Sequence, residues 1–202
     1  MPEKYGEIYG INGPVLTVKT KNNFHMSETV LVTEERLIGE VINIRQNEAV
    51  VQVFEDTSGL RAGEKVYPTG ARLSVTLGPG IIGNIFDGIQ RPLKAIEAAS
   101  GTFISRGVHV DSLDGGRKWP VRFTAKAGAQ VKAGCQIAET PETSFIVNKI
   151  MIPPDISGRL EWLAPDGEYT VNEPVAIVRD TAGMETTITM AQKWPIRAPR
   201  PV

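Results

Sequence analysis

The sequence predicts a mainly β protein: a small amino-terminal β-barrel, a second barrel-sandwich-like β domain, and a connector holding one short helix. Turn residues punctuate the whole chain, with 20 Gly and 14 Pro among 202 residues. Between them lie short runs rich in Val, Ile and Thr, several with the apolar–polar alternation of half-buried strands. Only one stretch carries apolar residues at helical spacing.

The barrel is placed at residues 1–72. Val15-Leu16-Thr17-Val18 follows the turn Asn12-Gly13-Pro14. Thr29–Val32, Ile38–Ile44, Ala49–Phe54 and Arg72–Leu77 follow at short spacing, and the last puts Leu73, Val75 and Leu77 on one face. Many short strands between Gly-containing turns suit a small closed or sandwiched sheet.

Residues 73–112 read as a connector. Gly78-Pro79-Gly80 breaks the strand, and Ile81, Ile82, Ile85 and Phe86 form an apolar patch before the turn at Asp87-Gly88. Pro92 suits the first position of a helix, Leu93, Ile96 and Ala99 or Ser100 keep helical spacing, and Gly101 ends it.

The second β domain is placed at residues 113–188, opened by the flexible pair Gly115-Gly116. Its strands are Val121–Thr124, Cys135–Ala138, Phe145–Val147, Arg159–Trp162, Val175–Val178 and Met184–Met190, the last with Met184, Thr186, Ile188 and Met190 on one face. Residues 189–202 hold Pro195, Pro199 and Pro201 and predict an extended lead-in rather than an element.

Composition narrows the function classes. Formal net charge is −1 and aromatics are 6%, whereas nucleic-acid binders carry a basic excess. No apolar run approaches the ~18 residues that span a bilayer, and the polar start Met1–Tyr5 is unlike a signal peptide. The single cysteine, Cys135, has no internal disulfide partner, which makes a reducing, cytoplasmic compartment the default. His25 and His109 share no ligand spacing with each other or with Cys135.

The search for chemistry is mostly negative. No Gly-x-x-x-x-Gly-Lys-Ser/Thr phosphate cradle and no Gly-x-Ser-x-Gly nucleophile turn is present. The acidic pairs Glu34-Glu35 and Glu55-Asp56 sit at strand ends, where carboxylates are ordinarily solvated. One arrangement has more content. Gly128, Val131 and Gly134 precede a strand, Lys149 follows, and a second half with Gly167, Val171 and Val175-Ala176-Ile177 comes after Pro153-Pro154. This resembles a lipoyl or biotinyl carrier domain, in which a lysine at a hairpin tip bears the cofactor. Only Ile150, Met151 and Ile152 separate Lys149 from Pro153, too few for the return strand of such a hairpin.

The tract from Gly78 to Leu93, GPGIIGNIFDGIQRPL, resembles the segment leaving the amino-terminal barrel in catalytic A subunits of V-type and archaeal-type rotary ATPases. Gly6–Pro14 is similar to the first hairpin of that family. Leu37–Ile42 and Val53–Leu60 are similar to later barrel strands, Lys149–Pro154 to a run in its inserted domain, and Gln192–Arg197 to the re-entry towards its nucleotide-binding domain. The resemblance runs in order along the whole chain.

What the resemblance implies is specific. Residues 1–72 would join alternating A and B subunits into a hexameric crown. Residues 113–188 would be the outward bulge near the peripheral stalk. The family's phosphate-loop Lys and Thr and its Glu base have no counterparts in these 202 residues, and its arginine comes from the B subunit. The expected catalytic, cofactor-binding and metal residues of this chain are therefore none, with ATP and Mg belonging to the parent subunit. The expected setting is a cytoplasmic complex peripheral to the membrane, with no nucleic acid and no direct membrane insertion. Two other functions are weighed against it: a carrier domain using Lys149, and an OB-like barrel binding nucleic acid. The resemblance also implies that Ile81, Ile82, Ile85 and Phe86 pack on the nucleotide-binding domain. Without it, the segment is expected to be mobile or to bury itself against a second copy.

Overall fold

The computed structural model describes residues 5–21, 23–101, 106–108, 110–197 and 199. The chain divides into two compact units, Met1–Ser74 with Ala95–His109, and Val75–Lys94 with Val110–Val202. Residues 73–112 are thus shared between the units. Gly115-Gly116 lies within the second, in a turn where the Gly116 N–H donates to Asp114 Oδ1 at 2.9 Å.

The first unit is a closed six-stranded barrel. Its strands are β1 (Gly6–Asn12), β2 (Val15–Lys19), β3 (Glu28–Val32), β4 (Leu37–Arg45), β5 (Glu48–Val53) and β6 (Lys65–Arg72), in the order β1-β2-β5-β4-β3-β6. Closure leaves no unpaired edge in this sheet. Two hairpins follow from local turn chemistry. Asn12 faces Val15 across a two-residue loop whose first position, Gly13, has φ +58°, and Arg45 faces Glu48 across Gln46-Asn47, with Gln46 at φ +50°. Two-residue hairpin loops demand such positive φ values. The alternation turns Ile8, Leu16, Val18, Val30, Val32, Leu37, Val41, Val51 and Val66 into the interior, each at most 2% exposed.

The closing strand β6 escapes the sequence pattern because Tyr67-Pro68-Thr69-Gly70 reads as a turn. Here Pro68 lies opposite Val30, and the Gly70 N–H is donated to the carboxylate of Glu28 at 2.5 Å. The strand expected over Arg72–Leu77 is correspondingly two: β6 ends at Arg72, and β7 (Ser74–Leu77) begins afresh with no alternation in burial. Beyond it, α1 (Leu93–Ser100) forms as expected, one residue after Pro92. The Gly101 N–H bonds Glu97 O with Gly101 at φ +79°, a left-handed helix cap.

The second unit is built on β8 (Lys118–Phe123), β9 (Gln130–Val131), β10 (Gln136–Pro141), β11 (Val147–Met151), β12 (Gly158–Leu163), β13 (Gly167–Thr170), β14 (Pro174–Arg179), β15 (Glu185–Thr189) and β16 (Gln192–Pro195). Two four-stranded sheets, β11-β10-β8-β13 and β15-β14-β12-β9, form the body. Their orders reveal a pseudo-twofold relation that maps β8–β11 onto β12–β15. Phe123 opposite Ala138 in one sheet matches Leu163 opposite Ala176 in the other. Each half gives one strand, β9 or β13, to the other half's sheet. One core results, including Trp119, Val121, Ile137, Ile150, Leu160, Val175, Val178 and Ile188. Gly158 is required where β12 meets β14, because a Cβ there would overlap the backbone carbonyl of Arg179.

Two further expectations change. Phe145 and Ile146 lie in the turn before β11, and the strand runs on to Met151. The lead-in after Met190 contains a true strand, β16, paired with β7 and burying Trp194. Its proline, Pro195, is tolerated because β16 is an edge strand of a two-stranded sheet.

Candidate functional site

The carboxylates weighed for chemistry have structural partners. Glu34 accepts the Tyr67 hydroxyl at 2.6 Å, and Glu35 pairs with Arg106 at 3.0 Å. Glu55 accepts the Ile38 N–H at 3.1 Å through one oxygen and the Gly107 N–H at 3.0 Å through the other. Asp56 accepts the Ser58 N–H and hydroxyl, and the backbone bond first, then the hydroxyl, hold its carboxyl below the usual range. Glu28 is 2% exposed within β3. A buried carboxylate must be satisfied, and this one accepts the His25 N–H at 2.8 Å as well as that of Gly70. Its nearby ring, His25 Nδ1 at 3.3 Å, belongs to a side chain open to solvent. His109 lies outside the described residues. Cys135 is a half-buried thiol packed on the sandwich core. Among the described residues no group of three or more His, Cys, Asp or Glu is placed to hold a metal ion.

Lys149 stands mid-strand in β11, opposite Glu139. The loop from β11 to β12 contains Pro153, Pro154 and Asp155 and no lysine. The pseudo-twofold sandwich is carrier-like in outline, but Lys149 is not at a hairpin tip.

Apolar surface is the more informative feature. On the barrel, the row Gly10–Thr17–Val50–Asn43 crosses β1, β2, β5 and β4. Register shifts beside both ends of that row, at Tyr9 and Ile42, push these residues outward, where they are 60% and 40% exposed, with Ile11 exposed as well. Lys19 Nζ lies 4.0 Å from the Tyr9 ring centroid. Strand alternation alone did not single these residues out. The available signal was apolar residues at both parities, Ile8-Tyr9 in β1 and Val41-Ile42 in β4.

On the second unit, a groove of about 500 Å³ is lined by Pro120, Arg122, Glu139, Pro141, Val147 and Glu168. Arg122 pairs with Glu139 along it, which raises the guanidinium's pKa. Phe145, at the β10–β11 tip, is 95% exposed. In the segment before α1, Ile81 packs against the sandwich core and Phe86 is half-buried, whereas Ile82 and Ile85 are exposed. No helix among the described residues is long and apolar enough to cross a membrane.

Comparison with known proteins gives two family matches in chain order. The ATP synthase alpha/beta family beta-barrel domain matches residues 8–70, and the ATP synthase alpha/beta subunit barrel-sandwich domain matches residues 110–197. The V-type ATP synthase alpha chain of Halothermothrix orenii is 48% identical over 199 residues, 98% of this chain and 34% of that protein. The A subunit of the A-type ATP synthase of Methanopyrus kandleri is 47% identical over 196 residues, 97% of this chain and 33% of its own length. The V-type ATP synthase alpha chain 2 of Clostridium tetani is 43% identical over 197 residues, 98% of this chain and 33% of its own. The chain spans about a third of the length of these curated relatives.

Proposed function

The chain belongs to the ATP synthase alpha/beta family, as a stretch of the V/A-type A subunit, and on that premise we propose that it is the assembly and coupling part of that subunit rather than its catalytic part. The barrel binds neighbouring B subunits, the sandwich forms the bulge beside the peripheral stalk, and both serve ATP-linked ion transport in a cytoplasmic complex on the membrane surface. ATP and Mg are handled by the remainder of the subunit, since these 202 residues contain no phosphate-loop sequence.

The observation that carries the barrel's role is its exposed large apolar residues, Tyr9 and Ile11 on β1 and Ile42 on β4, on a barrel whose strands are otherwise fully paired. Large apolar side chains left in water on one face of a folded domain are candidates for an interaction surface. A closed sheet has no edge to offer, so a partner must bind side chains on its face. The test mixes the chain with the B subunit of a V/A-type ATPase and measures complex mass by light scattering. A complex is expected, and Tyr9→Glu combined with Ile42→Glu should abolish it without altering the circular dichroism of the chain. Absence of any complex, or a complex indifferent to both substitutions, would refute the reading. Magnesium ATP turnover by the chain alone is expected to be nil.

A further inference from the structure

We propose that Glu142 is a mechanical latch through which displacement of the β10–β11 tip reaches the loop 80–84. The inference uses only the second unit and stands independently of the assembly role above. Glu142 is the first residue after β10. One of its carboxylate oxygens, Oε1, accepts two backbone donors from a segment some sixty positions away, the Gly80 N–H at 2.8 Å and the Ile82 N–H at 3.0 Å. The other, Oε2, accepts Asn148 Nδ2 from β11 at 3.0 Å. A carboxylate held by three donors in this way is a fixed post rather than a mobile surface group, because charge-assisted bonds are about twice as strong as neutral ones.

Both bodies joined by the post are internally stiff. On the tip side, the Glu142 N–H bonds Ile146 O at 2.9 Å, and Thr143 N–H bonds the same oxygen at 3.2 Å. Thr143 Oγ1 accepts the N–H groups of Phe145 and Ile146 at 3.3 and 3.1 Å. Phe145 is thus the projecting end of a compact turn whose base is Glu142. On the loop side, Asn84 Nδ2 donates to Gly80 O at 2.6 Å and Asn84 N–H to Ile81 O at 3.3 Å. Gly80 adopts φ +103°, and a Cβ there would stand 3.3 Å from Trp119 Cζ2. That backbone conformation, which side-chain-bearing residues rarely adopt, presents the amides of residues 80 and 82 to one oxygen. Two stiff bodies sharing one carboxylate cannot move independently without breaking its bonds. The loop leads into exposed Ile82 and Ile85, so a load on Phe145 resets how those side chains are presented.

Amide hydrogen exchange on the full chain tests this. Glu142→Ala should accelerate exchange at Gly80 and Ile82 by about tenfold or more, the loss expected for hydrogen bonds to a charged acceptor. Glu142→Gln, which keeps an acceptor oxygen, should accelerate it less. Leu160 and Val178, in the other sheet, serve as the reference for intact folding and should not change. Thr143→Gly, which loosens the tip alone, should also accelerate exchange at Gly80 and Ile82. That effect should vanish when combined with Glu142→Ala, because the route is already cut. Unchanged exchange at Gly80 and Ile82 in Glu142→Ala would overturn the latch. Additive effects in the double substitution would overturn transmission through it.

Discussion

The barrel and the sandwich enclose their cores by different routes. In the barrel, β1 with β2, β3 with β4, and β4 with β5 pair as chain neighbours, and the long-range tasks are joining β2 to β5 and seating β6 between β1 and β3. In the sandwich, β9 completes the sheet of the second half and β13 completes that of the first. Local hairpins close with little chain entropy, whereas exchanged strands require distant segments to meet first. Two halves with the same strand arrangement thus need not be independent of each other. Here the exchange makes each half a structural part of the other.

Separating the halves should have the largest effect. A peptide of residues 110–157 keeps β8 to β11 but loses β13 and the strands β12, β14 and β15 of the facing sheet, so β9 has no partner. It should be unfolded, with narrow amide dispersion by NMR, and mixing it with residues 158–197 should restore dispersed signals. A folded spectrum from either piece alone would show that strand exchange is not what unites the sandwich.

A smaller effect is expected from single core truncations. Leu16 in β2 and Leu160 in β12 are both fully buried. Changing either to Ala should cost about 2–5 kcal/mol, from lost transfer energy plus the residual cavity. If the units fold separately, Leu16→Ala lowers the melting of the barrel alone and Leu160→Ala that of the sandwich alone, as read by residue-resolved exchange. Equal loss of protection in both units from either change would make them one cooperative body.

The same contrast explains what the sequence disclosed. Barrel strands such as Val15–Val18 and Thr29–Val32 are legible as short β-type runs between turns, whereas the run with strict alternation, Arg72–Leu77, proves to be the end of β6 and a separate β7. The body of β6 is not legible, since Pro68 and Gly70 mimic a turn while serving a register irregularity opposite β3. In the sandwich, β9 is two residues long and β13 four, too short for any periodicity to register. Their existence depends on partners supplied by the other half. The strand-end positions of Glu34, Glu35, Glu55 and Asp56 were legible, but their partners Tyr67, Arg106, Gly107 and Ser58 were not. The post at Glu142 was not, because nothing local to residues 142–146 announces donors at Gly80 and Ile82. The exposed tip at Phe145 was hidden for a related reason. Phe-Ile-Val reads as strand, but the turn begins at Glu142 and consumes the first two of those residues.

The smallest effect compares two depressed carboxyls, one in each unit. For Asp87, burial raises the pKa, but the bonds from the Arg91 N–H, the Arg91 guanidinium and the Ile89 N–H together outweigh it and hold the carboxyl below its usual range. The distances are 2.8 Å for the Arg91 N–H, 2.7 Å for its Nε and 3.1 Å for Ile89. A carboxyl depressed in the folded state adds stability that is fully present above its unfolded pKa and is lost as pH falls through the folded value. The turn of residues 87–91 should therefore stay closed at neutral pH and loosen only below about pH 4. Asp56 in the barrel unit is depressed by the Ser58 N–H and hydroxyl instead. Arg106 contributes least to its depression, and on protonation the hydroxyl of Ser58 can reverse its role and accept a hydrogen bond from the acid. Exchange at Ile89 and Arg91, normalised to intrinsic rates, should thus rise on acidification more than exchange at Ser58. Asp87→Asn should remove the acid dependence at Arg91 while leaving that turn looser at pH 7, because the neutral amide cannot replace the ion pair. An Arg91 amide that exchanges at the same normalised rate at pH 7 and pH 3 would show that the Asp87 carboxylate does not hold this turn.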